Sequence, residues 1–185
     1  DDREYSFLPS RQGSTLSDKV AKAALYQFDK KFKSYTWLDR GSDERQYCSP
    51  GVDIPMASIM RTKYGEYPEY HTSLDDLEKV VTPSGLLGGY NVVKLVINIL
   101  ESNCFPITNV FCEAKLSERG LYNDISAYKT QSFNGSITSR DYINFLSYCD
   151  GKHDLIDISL SINLEISKVL SIYKTLLSEK LIENK

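Results

Sequence analysis

The sequence predicts an α/β protein: a sheet domain followed by a small helical domain. Three observations carry this expectation. Short apolar runs that suit buried strands alternate with longer helical patterns through residue 112, the order expected of a mainly parallel sheet covered by helices. Composition then turns polar and Ser/Asn/Gly-bearing over residues 113–138, as in a linker or loose extension. From Ser139 onward, three short helical segments follow one another. The expected divisions are therefore 1–112, 113–138 and 139–185.

Taken in order, Glu4 to Leu8 alternates weakly and breaks at Pro9, which predicts a short strand end and a loop. Ser14 or Thr15 caps a helix through Lys31, with Leu16, Val20, Ala23, Ala24, Phe28 and Phe32 at helical spacing. Its lysines fall mostly on the other side, as a solvated face. Tyr35-Thr36-Trp37-Leu38 is rich in β-formers and predicts a strand feeding the Gly41 loop. Ile54 to Met60 is an apolar run of strand length. Ser73 and Asp76 stand at capping-box spacing and predict a helix to about Val80, broken by Thr82-Pro83-Ser84-Gly85. A helix from Leu86 or Tyr90 to Leu100 is apolar almost all round, so it should be well buried. Phe105 to Phe111 closes this region. Beyond the linker, helices are expected from Ser139 to Cys149, from Asp154 to Ser161, and from Asn163 on. The last is the clearest, with Ile166, Val169, Leu170, Tyr173, Leu176, Leu177 and Leu181 on one face.

Composition narrows the function classes. Hydrophobic residues make up 41% and charged residues 25%, values that support a packed core and exclude wholesale disorder. A net charge of −3 argues against a broadly basic nucleic-acid surface. The sequence holds no bilayer-length apolar run and no basic-then-apolar leader, so a soluble, cytoplasmic protein is expected. Cys48, Cys104, Cys112 and Cys149 form no C-x-x-C pair and read as reduced thiols.

The densest chemistry lies between Gly41 and Leu77. Gly41-Ser42-Asp43-Glu44-Arg45 joins a turn former to three charges, and Pro50-Gly51 turns again before the apolar run. A polar loop, Arg61 to Tyr70, then delivers His71. A neutral imidazole held between a strand and a helix start is placed to bind a metal, or else to cap or hydrogen-bond locally.

Gly41-Ser42-Asp43, the Gly51-x-x-Ile54-Pro55 turn, and Tyr70-His71-Thr72 followed by Asp75 resemble the closing motifs of the co-catalytic zinc aminopeptidases. The longer stretches DDREYSFLPSRQG, LDRGSDERQYCSPG and SIMRTKYGEYPEYHTSLDDL resemble a bacterial aminopeptidase-like family of unassigned substrate, often met near polysaccharide-biosynthesis genes. The resemblance covers nearly the whole chain. It implies part of a three-layer α/β/α zinc-peptidase-like sheet domain followed by a winged-helix-like module. It further implies a C-terminal fragment of a hydrolase that cleaves an N-terminal aminoacyl or related amide bond with two zinc ions, the general base and the other ligands lying upstream.

Within that resemblance His71 would be a zinc ligand, and Asp2, or in the adjacent register Asp1, would supply a carboxylate. Tyr70 would steady the oxyanion or simply pack. Asp43 and Glu44 fall at a substrate-pocket position, where many aminopeptidases carry His in place of Glu44. Glu44 would bind a free amino group or pair with Arg45 or Arg61, and those arginines would recognise a carboxylate or phosphate or serve in ion pairs. Asp75 would fix the backbone around His71, and His153 carries no assignment. The expected partners are a peptide or aminoacyl small molecule and a protein contacting 139–185, with a homo-oligomer also compatible. DNA reading by that module is disfavoured, because nine Lys and Arg face ten Asp and Glu from Glu113 to Lys185. The rival to the hydrolase is a non-catalytic scaffold that keeps the fold, with a DNA-binding regulator weaker still.

Overall fold

The computed structural model describes residues 1–122 and 136–185. The chain divides into two compact units, Asp1–Glu101 and Ser102–Lys185.

In the first unit, strand β1 (Ser6–Leu8) is central. It pairs in parallel with β2 (Lys33–Ser34) and antiparallel with β3 (Ser58–Met60), so the described sheet is mixed where a mainly parallel one was expected. Helix α1 (Leu16–Phe28) begins at a Thr15/Asp18 capping box and buries Val20, Ala21, Ala24 and Leu25, which join Phe7 and Leu8 in the core.

Three expected elements differ. Tyr35–Leu38 is no strand: Tyr35 N still bonds Phe7 O, but Thr36 and Asp39 form a capping box that starts a 3₁₀ turn over Trp37–Asp39. The apolar run at 54–60 is a strand only from Ser58, because Pro55 has no N–H and the Cys48 thiol holds Ile54 O and Met56 N. No helix forms over 73–80. The Asp76 carboxylate turns forward to accept the Glu78 and Lys79 amides, and helix α3 starts at Pro83 instead, running to Ser102. α3 buries Gly85, Val92 and Ile99 but leaves Leu86, Tyr90, Val93, Ile97 and Leu100 exposed.

The second unit pairs β4 (Pro106–Thr108) antiparallel with β5 (Ile182–Asn184) around helices α4 (Ser139–Leu146), α5 (Leu155–Ser161) and α6 (Ile166–Ser178). Thr138 rather than Ser139 caps α4, and Asp154 caps α5. Phe145, Leu155, Ile158, Ile166, Ile172 and Leu176 form its core. The expected linker carries a 3₁₀ turn at Ser117–Arg119, and its stretch 123–135 lies outside the described residues. Among the described residues no helix is long and apolar enough to cross a membrane.

Candidate functional site

The loop opening at Gly41 is closed by one carboxylate. Glu44 opens the short helix α2 (Glu44–Tyr47) and is 1% exposed. Its Oε1 accepts the amides of Gly41 at 2.7 Å and Ser42 at 2.9 Å and the Tyr64 hydroxyl at 2.7 Å. Burial alone would raise its pKa. The donors from Ser42, Gly41 and Tyr64 together outweigh burial, so the group stays ionised below the usual carboxylate range. Tyr64 is pushed up to about 12, first by burial and then by its bond to that anion. Gly41 is required by this closeness, since a Cβ there would sit 2.7 Å from a Tyr64 ring carbon. Glu44 therefore pairs with amides and a phenol, not with Arg45 or Arg61.

Tyr64 opens a cluster of rings. Its centroid lies 6.4 Å from that of Tyr70, which meets Tyr67 edge-on at 5.6 Å and stacks on His71 at 4.0 Å with 18° between planes. His71 is exposed and adopts a left-handed φ of 60°. Thr72 closes the turn by sending its N–H and hydroxyl to Glu69 O. Among the described residues no hydrogen bond reaches the His71 ring. Asp75 acts on this turn through a side chain, accepting the Tyr67 hydroxyl at 3.0 Å. Lys63 is buried, with its ammonium 4.1 Å from the Tyr64 centroid and 5.2 Å from that of Tyr35.

The other arginines divide. Arg61 sends its guanidinium to the carbonyls of Glu4, Asp2 and Gly85 and lies 4.1 Å from the Tyr5 centroid. It staples backbone and, among the described residues, forms no salt bridge with a carboxylate. Gly88 leaves room for it, since a Cβ there would meet an Arg61 nitrogen at 2.4 Å. Arg45 and Asp43 are exposed; Arg45 Nε donates to Ser42 O, and Asp43 makes no side-chain cap.

The two candidate aspartates are also distinguished. Asp2 accepts the hydroxyls of Thr82 and Ser84 at the start of α3, which lowers its pKa. Asp1 takes the Thr62 hydroxyl and the Arg3 amide on one oxygen; the other is buried and forms an ion pair with the Arg3 guanidinium. Arg3 also reaches Glu69 at 3.2 Å, tying this arm to the His71 turn. An imidazole is a donor of the kind zinc accepts, whereas the second Asp1 oxygen is taken up by the Arg3 guanidinium. Among the described residues no three His, Cys, Asp or Glu side chains gather as a metal-binding group.

Sequence reasoning singles out His71, Tyr70 and the Gly41 loop but misses Tyr64 as the partner of Glu44, which lies 20 residues away. His153 pairs with Asp150 at 3.1 Å.

A protein of Clostridium acetobutylicum provisionally named for polysaccharide biosynthesis with an aminopeptidase-like domain is 31% identical over 160 residues, 85% of this chain and 35% of its own length. A crystal structure from Clostridium acetobutylicum, provisionally named a peptidase, matches all of this chain and 40% of its own with a TM-score of 0.82 and 26% identity. The chain thus spans well under half the length of either. Residues 105–184 match the winged helix-turn-helix family, which assigns the second unit. Residues 1–103 match the family described as a domain of unknown function (DUF4910), more than half of the sequence, and the chain belongs to that family.

Proposed function

We propose that the chain is the C-terminal part of a zinc-dependent, aminopeptidase-like hydrolase that cleaves an N-terminal aminoacyl or related amide bond. The observation that carries this is His71: an exposed imidazole with no hydrogen bond among the described residues, set on a left-handed turn and stacked on Tyr70, in a chain similar to proteins named for peptidase-like domains. Zinc, when bound, would polarise the substrate carbonyl and lower the pKa of a water. His71 would hold it through a ring nitrogen, with Asp2 or Asp1 as the carboxylate, each exchanging its present contacts (Thr82 and Ser84, or Thr62 and Arg3) for the metal. Tyr70 would donate toward the developing oxyanion. Asp43 and Arg45 remain open to a substrate; Glu44 and Arg61 serve the loops that carry them. The winged-helix unit would contact protein, because its near-balanced charge suits phosphate binding poorly.

The test is hydrolysis of a panel of aminoacyl nitroanilides by a polypeptide spanning the full length of its relatives. Turnover that disappears in His71→Ala with the fold intact supports the reading; turnover unchanged in that variant removes His71 from the site. DNA binding that weakens steeply with salt would refute the protein-contact role of the second unit.

A further inference from the structure

We propose that Glu44 and Tyr64 are positioning residues that aim the His71 imidazole through Tyr70. This rests on the reading of His71 as a functional histidine. Histidines that bind metals or shuttle protons are usually oriented by a hydrogen bond from the second ring nitrogen to a carboxylate or carbonyl. His71 has no such bond among the described residues. Its ring contact is with Tyr70, nearly parallel at 4.0 Å.

Tyr70 is held in turn by two tethered phenols. Tyr67 meets it edge-on at 5.6 Å and is anchored to Asp75, which is exposed. Tyr64 meets it at 6.4 Å and is anchored to Glu44, which is buried. The Glu44 tether is the stiffer one. The same carboxylate oxygen also holds the Gly41 and Ser42 amides, the Lys63 ammonium lies over the Tyr64 ring, and Gly41 packs against that ring's edge. A polar anchor in the Gly41 loop thereby fixes a ring in the Arg61–Tyr70 loop, and the ring stack hands that order to His71. Tyr64 and Tyr70 pack tilted by 38° while Tyr70 and His71 are stacked, so a shift of one ring in this packed series is felt by the next. The arrangement replaces the missing hydrogen bond with stacking.

The experiment is a ¹H–¹³C correlation spectrum of the imidazole rings of this chain, recorded without metal. The chain has two histidines, so His71→Gln assigns both signals at once. In the unsubstituted protein the His71 ring proton should be displaced upfield by the Tyr70 face. Tyr64→Phe keeps the ring and removes only the hydroxyl; the His71 signal should lose much of that displacement, while the His153 signal and the amide spectrum of the second unit stay put. Glu44→Gln should move the signal in the same direction and serves if Tyr64→Phe does not fold. An unmoved His71 signal in a folded variant overturns the proposal. Because no zinc is used, failed hydrolysis in the longer polypeptide and failed positioning here are separate results.

Discussion

Replacing Glu44 with Ala removes the acceptor shared by three donors. A hydrogen bond to a charged group contributes about 1.5–3 kcal/mol, and a buried donor left without a partner costs about 1–3 kcal/mol. Three such bonds do not sum, because Gly41 and Ser42 are exposed and water can reach their amides once the side chain is gone. The cost should therefore be about 2–4 kcal/mol, and about 1–2 kcal/mol for Glu44→Gln, which keeps a neutral acceptor. For a unit of this size, 1 kcal/mol moves the melting temperature by about 4–8 °C, so the alanine variant should melt on the order of 15 °C lower. Trp37, the chain's single tryptophan, lies in the first unit and reports its unfolding by fluorescence in urea. The pH dependence adds a second signature. The folded pKa of Glu44 lies below its ordinary value, so its contribution is present above the ordinary carboxylate range and is lost as pH falls through the lowered folded value. The gap between the unsubstituted protein and Glu44→Gln should thus be full at pH 7 and close in acid. An alanine variant within about 0.5 kcal/mol of the unsubstituted protein, the range of ordinary surface changes, would refute the reasoning. So would a gap that persists unchanged into acid.

Two further outcomes follow from buried groups. Asp18 is 1% exposed and accepts the amides and hydroxyls of both Ser10 and Thr15, so Asp18→Ala should cost about 3–5 kcal/mol in the same urea assay, against a smaller loss for Asp18→Asn. Thiol labelling at pH 8 should modify exposed Cys112 first and half-buried Cys104 more slowly. Cys48 and Cys149 should react only on unfolding, because both are buried and burial pushes the Cys149 thiol up to about 12, keeping it protonated; rapid labelling of Cys149 in the folded protein would contradict its placement.

The helices that carry their own cores were legible in the sequence. α1 and α6 follow helical periodicity, and Thr15, one of the two caps expected for α1, closes a box with Asp18 three residues on. The same spacing misled at Ser73 and Asp76, because a carboxylate at that position can close a forward turn as well as a helix, and no periodic apolar face followed to decide between them. The apolar surface of α3 implied full burial, yet periodicity cannot say whether a covering layer is present; three strands of two or three residues cannot cover a 20-residue helix. In the site, His71 and Tyr70 stood out because they are adjacent in a motif. The contacts of Asp1 with Thr62, of Asp2 with Thr82 and Ser84, and of Glu44 with Tyr64 are all made far along the chain and are invisible to local pattern.

The central claim, a zinc centre to which His71 contributes, is tested most directly by elemental analysis of a polypeptide spanning the full length of its relatives, beside this chain alone. About two zinc ions per longer chain, reduced in His71→Ala without loss of fold, is the predicted result. No zinc after careful reconstitution, or a zinc content that His71→Ala leaves untouched, would contradict it.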